Sequence, residues 1–346
     1  MTAPGNQAGA QLGSSEIALS AAYDAALLDL DGVVYVGSEP ILHAASVLRD
    51  AAARGLRLTY VTNNASRTPA QVVEILRSVG VDADADEIAT SAQAAARLLA
   101  EHLPTGAKVL VVGAEGLRTA VENQGLTVVA TAAENPAAVV QGFSESMSYA
   151  MLAEAVLAVN AGAFWVATNL DATIPTPRGM LPGNGALVAA VRHATGATPV
   201  AAGKPQRPLH DEAVRRTGAT RPLVVGDRLD TDIDGALAVG ADSLLVLTGV
   251  TTLLDLARVP AGRRPTYVSA DLRALLVAHL PIKDDDGVMR CGPAAASFAD
   301  GVVTVSQGSP APDDDMTSAI RVACACAWRA LDAGEAIREL AGVPPS

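Results

Sequence analysis

Two carboxylates two residues apart, Asp29 and Asp31, close an apolar run and stand directly before Gly32. On an extended strand, residues i and i+2 project to the same side, so both acids would point together beyond the strand's end. Like charges held that close repel unless a cation or a proton joins them. The pair therefore costs stability, which favours chemistry over the bland alternative, a solvated turn after a strand. Three other segments also end an apolar run with polar groups. They are Thr62-Asn63-Asn64, Lys204 after Gly203, and Asp227 within Gly226-Asp227-Arg228-Leu229-Asp230-Thr231-Asp232.

Strands and helices must carry these groups to one place. Apolar runs at 25–30, 57–61, 200–202, 223–225 and 243–247 read as strands, with helical patterns at 41–54, 210–217 and 232–239 between them. The helix after Thr62 has a clear start: Thr68 as N-cap, Pro69 in the first turn and Gln71 to complete a capping box. A second series of strands and helices fills 92–195. Alternation of this kind predicts an α/β protein with a Rossmann-like, doubly wound parallel sheet. In such a sheet ligands bind beyond the carboxyl ends of the strands, so the four polar segments are expected to converge on one crevice. Because these segments lie before residue 70 and after residue 200, 92–195 reads as an insertion within a discontinuous core, 21–91 with 196–282. Residues 1–20 read as a disordered leader, Asp284-Asp285-Asp286 as a linker, and 283–346 as a small C-terminal appendage whose Trp328 and cysteines serve packing.

The four segments resemble the motifs of the haloacid dehalogenase superfamily, in its phosphatase branch. Asp29-x-Asp31-Gly32-Val33, Thr62-Asn63-Asn64, Gly203-Lys204-Pro205 and Gly226-Asp227-x-x-x-Thr231-Asp232 stand for the first to the fourth motif. The insertion is similar to the family's class II cap. Ala167-Thr168-Asn169-x-Asp171, followed by Pro182-Gly183-x-Gly185, resembles the subclass of nitrophenyl-phosphatases, phosphoglycolate phosphatases and glycerol-3-phosphate phosphatases. The likeness spans roughly residues 24–280 and leaves out the leader and the tail.

The resemblance implies a role for each residue. Asp29 would attack phosphorus and form an aspartyl-phosphate, splitting a hard hydrolysis into two steps. Asp31 would protonate the departing alkoxide and later take a proton from water. A halide leaving group needs no such acid, so the second aspartate favours a phosphatase over a dehalogenase. Acids and a phosphate dianion cannot share a site without cations, and Mg2+, a hard ion that takes oxygen ligands, suits it. The family pattern implies ligation by the Asp29 carboxylate, the Asp31 backbone carbonyl and Asp227, with Asp232 orienting ligands or waters. Lys204 would offset phosphate charge, while Thr62 and the backbone N–H groups of Asn63 and Asn64 would bind phosphate oxygens. Asn-Asn also suits an ordinary turn. Arg67 has two readings, a substrate contact and a surface charge.

The cap loop carrying Asn169, Asp171, Ile174 and Arg178 is where the likeness places specificity. Some pyridoxal-phosphate-cleaving relatives carry a histidine near the position of Ile174, and the loop has few aromatics to stack on a ring. The expected substrate is therefore a small aliphatic phosphate monoester, with glycerol 3-phosphate first and 2-phosphoglycolate second. A phosphoryl-accepting or phosphate-sensing regulator would use the same Asp29 and Mg2+ with the appendage as its contact surface; Asp31 and a full cap argue against it. A phosphomutase would carry its cap in the first motif's flap, for which residues 33–61 are too short.

Composition narrows the partners. The 346 residues carry a net charge of −12, which argues against a nucleic-acid surface or an anionic membrane patch. Half of them are hydrophobic but only 3% aromatic, so the core must be built from Ala, Val and Leu. The three cysteines, Cys291, Cys324 and Cys326, lack zinc-ligand spacing and suit a reducing cytoplasm. No run reaches the length of a membrane span, so a soluble protein is expected. Apolar cap surface would serve a homodimer.

Overall fold

The computed structural model describes residues 12–176, 178–307 and 316–343. The chain divides into two compact units, Met1–Leu58 with Ala219–Ser346, and Thr59–Gly218.

In the first unit a run of parallel strands is built from Ala25–Leu28, Pro222–Gly226, Asp242–Val246 and Tyr267–Ser269, each hydrogen-bonded to the next. All four residues of Ala25–Leu28 are buried, as a parallel strand covered on both faces must be. Leucine and valine fill this core and the aromatic share stays small, as the composition requires. The leader expectation fails for its second half. Leu12 and Leu19 are buried, Gly13 N–H donates to Thr266 O (2.7 Å), and the buried Arg321 guanidinium donates to Gly13 O (2.9 Å). Two apolar anchors and these bonds order a stretch whose composition alone looks unstructured; residues 1–11 lie outside the described residues.

The C-terminal segment forms a five-stranded sheet in the order Lys283–Asp285, Val288–Cys291, Ala294–Ala299, Val302–Gln307, Glu339–Ala341. Its inner face (Met289, Ala294, Ala296, Val303, Val305) packs on the Thr317–Asp332 helix through Ala319, Val322, Ala323, Cys326 and Ala327. Asp284-Asp285-Asp286 is thus an exposed hairpin strand and its turn. Asp286 and Gly287 take the two positive-φ positions (47° and 92°) that a two-residue hairpin demands, and Arg290 and Arg329 neutralise Asp285 and Asp284. The cysteines are free and buried, and Trp328 donates its indole N–H to Leu256 O (2.9 Å), so these residues do serve packing.

The second unit takes in the Arg57–Thr62 strand from Thr59 onward, whose Tyr60, Val61 and Thr62 pair in parallel with Ile88–Thr90, and a five-stranded all-parallel sheet. The order of that sheet is Val200–Ala201, Phe164–Ala167, Ala138–Gln141, Lys108–Val112, Thr127–Val129. Val200–Ala201, read from the sequence as the core strand that resumes after the insertion, pairs instead with Val166 and Ala167. A two-residue edge strand has no periodicity to betray its sheet. Helices Ser91–His102, Glu115–Asn123, Tyr149–Asn160, Asn184–Thr195 and Arg207–Thr217 belong to the same unit. Thr68 caps Pro69–Ser78 with the reciprocal bonds of a capping box. Among the described residues no helix is long and apolar enough to cross a membrane.

Candidate active site

The ladder of the first strand continues by one bond past Leu28, with Asp29 N–H donating to Val225 O (2.9 Å), and then breaks. The Leu30 carbonyl accepts the amides of Val33, Val34 and Tyr35 (3.3, 2.9 and 3.3 Å), which curls the chain into a tight turn. Asp29 and Asp31 therefore stand in a loop and not on a strand, and the i, i+2 projection does not apply: Asp29 is half-buried and Asp31 exposed. Tertiary packing makes that turn compact. Gly32 has φ +85°, and a Cβ there would lie 2.5 Å from Asp227 Cγ.

Asp227 follows the Pro222–Gly226 strand and is fully buried. Its Oδ2 accepts Val250 N–H (2.6 Å), and a Cβ on Gly249 would fall 2.0 Å from that oxygen. Thr248 Oγ1 donates to Gly32 O (2.5 Å), closing the loop over the first motif. Asp232, also buried, lies in a widened helical turn, Leu229–Ile233, and accepts Arg228 N–H (3.1 Å). Gly226 makes way for it, since a Cβ there would lie 2.2 Å from Asp232 Cβ. Carboxylate oxygens of Asp29, Asp227 and Asp232 lie within 4.8 Å of one another. Three acids crowded to this degree, two of them buried, fit a hard divalent cation, for which oxygen donors are the preferred set. Sequence reasoning missed Thr248-Gly249-Val250, although this triplet also ends an apolar strand with a polar group and a glycine.

In the second unit Thr62 ends its strand, and its Oγ1 accepts Asn64 N–H (3.1 Å). Asn64 Oδ1 accepts Ser66 N–H, Ser66 Oγ–H and Arg67 N–H (3.0, 3.0 and 3.1 Å), which shapes the loop; Arg67 itself is exposed. The Asn63 side chain bonds both backbone groups of Lys204, accepting its N–H (2.7 Å) and donating to its carbonyl (3.2 Å). Lys204 is buried, with Nζ 3.5 Å from Val61 O. Asn169 donates to Asn63 O (2.7 Å), and the Asp171 carboxylate accepts Asn63 Nδ2 (3.1 Å). Ile174 and Arg178 belong to a hairpin of Thr173–Thr176 with Gly179–Pro182, which follows closely on Asp171. This unit thus gathers Thr62, Asn63, Asn64, Lys204, Asn169 and Asp171, as the first gathers Asp29, Asp227 and Asp232.

A second buried group beside Lys204 went unnoticed in the sequence. His210, in the first turn of Arg207–Thr217, is buried and its ring nitrogens make no hydrogen bond among the described residues. Burial, and then the Lys204 charge, push its pKa down to about 3. Above pH 6.5 both folded and unfolded chains hold it neutral; below, only the unfolded chain gains the proton. His210 should therefore cost stability as pH falls from about 6.5 towards 3, with a slope approaching about 1.4 kcal/mol per pH unit. Urea midpoints between pH 7 and 5 should drop less steeply in His210→Leu than in the wild type, and equal slopes would contradict this assignment.

The haloacid dehalogenase-like hydrolase model matches residues 26–127, and a second model, HAD-hydrolase-like, matches 201–275. The chain is 44% identical over 315 residues to the D-glycerol 3-phosphate phosphatase of Mycobacterium tuberculosis, covering 89% of this chain and 86% of that protein. It is 41% identical over 254 residues to an acid sugar phosphatase of Staphylococcus aureus, covering 72% of this chain and 95% of the relative. The crystal structure of glycerol phosphate phosphatase from M. tuberculosis in complex with magnesium superposes with a TM-score of 0.81 at 43% identity, covering 94% of this chain and 95% of that one. A p-nitrophenyl phosphatase from Archaeoglobus fulgidus matches with a TM-score of 0.68 at 32% identity, over 73% of this chain and 98% of that one.

Proposed function

The chain belongs to the haloacid dehalogenase-like hydrolase family, and we propose that it is a Mg2+-dependent phosphatase releasing phosphate from glycerol 3-phosphate. The observation that carries this reading is the trio Asp29, Asp227 and Asp232, whose mutual crowding suits a divalent ion beside a nucleophilic carboxylate. The named activity of the M. tuberculosis relative, similar along nearly the whole chain, supports the choice of substrate.

In this reading an Asp29 oxygen attacks phosphorus, the bond from phosphorus to the glycerol oxygen breaks, and Asp31 gives that oxygen its proton. Asp31 is exposed and so open to exchange with solvent. It then takes a proton from the water whose oxygen displaces Asp29 from the aspartyl-phosphate. Asp29, Asp227 and the Asp31 carbonyl would hold Mg2+, with Asp232 orienting that set. Bound there, the ion offsets the charge of phosphate and carboxylates together. Lys204 and Thr62 bind phosphate oxygens in the same scheme. The 92–195 segment acts as the cap that sets specificity through Asn169 and Asp171, its apolar surface serves a homodimer, and the protein works in the cytoplasm.

A panel of monoesters assayed with Mg2+ tests the substrate. The kcat/KM for glycerol 3-phosphate should exceed that for 2-phosphoglycolate, pyridoxal 5′-phosphate and p-nitrophenyl phosphate by roughly tenfold or more, the discrimination that a few paired hydroxyls supply. A flat profile, or another ester in first place, would overturn the substrate. One phosphoryl group retained per chain without turnover would point to a regulator instead.

A further inference from the structure

We infer that Asn63 is a positioning residue whose carboxamide locks the Lys204 backbone and the Asp171 carboxylate into one frame. This deepens the phosphatase reading and rests on it for the roles of Lys204 and Asp171. The side-chain amide of Asn63 addresses Lys204 as a neighbouring strand would, with Oδ1 taking the backbone N–H at 2.7 Å and Nδ2 giving to the carbonyl at 3.2 Å. Nδ2 also donates to Asp171, at 3.1 and 3.3 Å to the two oxygens. Both donors of the carboxamide are then committed, as is one of its acceptor positions.

The frame extends into the cap-side segments. Asn63 O accepts both Ser91 Oγ–H (2.6 Å) and Asn169 Nδ2–H (2.7 Å), and Asn169 O accepts Asn184 Nδ2–H (2.7 Å). Asn184 opens the Asn184–Thr195 helix and is buried, so the chain of asparagines ends on a fixed element. Gly203 leaves no slack, because a Cβ there would lie 2.6 Å from Asn63 Oδ1 and 2.5 Å from Thr168 O. A cation that binds phosphate and a carboxylate in the specificity loop are thus spaced by one side chain. The consequence is a length restriction: a monoester held by Lys204 at the phosphate and by Asp171 at the alcohol must match a spacing that Asn63 sets.

Reversing the polarity of the amide tests this. Asn63→Asp keeps the shape but turns an oxygen anion towards the Asp171 carboxylate and the Lys204 carbonyl. Its kcat/KM for glycerol 3-phosphate should fall roughly a hundredfold or more, the scale of a broken buried hydrogen bond plus like-charge repulsion. Adding Asp171→Asn restores a donor facing the new carboxylate, so the double variant should recover about tenfold over Asn63→Asp alone, a coupling that independent sites lack. A double variant whose loss equals the product of the two single losses would overturn the proposal. Exchange of the Lys204 backbone amide, read by NMR in the intact protein, gives an answer independent of turnover. In Asn63→Ala it should accelerate by roughly tenfold or more relative to the wild type, since a protecting bond is gone. An unchanged rate would reject the clamp even if activity fell. A wild type inert towards every monoester would remove the phosphatase reading and leave the exchange result to judge the clamp.

Discussion

Asp29→Asn is expected to reduce phosphate release by roughly ten-thousandfold or more, because a carboxamide oxygen is too weak a nucleophile to displace an alkoxide from phosphorus. The substitution keeps the volume of the side chain and the backbone bond from Asp29 N–H to Val225 O (2.9 Å), so the first unit should stay folded. It also removes one charge from a trio whose oxygens lie within 4.8 Å, which lowers repulsion in the metal-free protein. Loss of turnover in Mg2+ with an undiminished melting temperature in EDTA is the combined signature. Asp31→Asn should behave differently, and the leaving group exposes the difference. Glycerol leaves as an alkoxide that needs a proton, whereas p-nitrophenolate leaves without one, so the variant should lose far more rate on glycerol 3-phosphate than on the nitrophenyl ester. Acid-quenched protein from the wild-type reaction should carry an acyl-phosphate that Asp29→Asn lacks. An Asp29→Asn enzyme retaining more than roughly a hundredth of wild-type activity would place the nucleophile elsewhere.

Much of this site was legible because its signals are local. An apolar run that stops at a polar residue marks a strand end whatever lies beyond it, and Thr68, Pro69 and Gln71 announce a helix start within four residues. The illegible parts were decided at long range. The first strand gives way at Leu28, two residues short of its apolar run, because the Leu30 carbonyl is taken by three amides of the following turn. Gly249 looks like any glycine until Asp227 Oδ2 is found 2.0 Å from where its Cβ would be. Asn63 suggested a backbone cradle for an anion, yet its side-chain partners Asp171 and Lys204 lie 108 and 141 residues along the chain. Asp284-Asp285-Asp286 misled in the opposite way. Its charge suggested a linker, while the Asp286-Gly287 pair, with both φ angles positive, was a hairpin signal in plain sight.

Removing the metal should affect activity and stability through the same three carboxylates, and Asp227→Asn should separate the two effects. In EDTA the wild type is expected to lose essentially all turnover and to melt several degrees lower than in saturating Mg2+. An ion that binds only the folded chain at a hundred times its Kd adds about 2.7 kcal/mol. Asp227→Asn should abolish activity too, but its stability should move the other way in EDTA. Asp227 is fully buried, and its Oδ2 accepts Val250 N–H at 2.6 Å, a bond that a carboxamide oxygen can keep. The amide also brings a donor into the cluster with Asp29 and Asp232, replacing repulsion with attraction, for a gain on the order of 1–2 kcal/mol. The two melting curves should therefore cross: without metal the variant is the more stable protein, and with Mg2+ the wild type overtakes it because only the wild type gains from the ion. Were Mg2+ to leave the wild-type melting temperature unmoved, or Asp227→Asn to melt lower in EDTA, the trio would be a hydrogen-bonded acid cluster sharing protons and not a cation site.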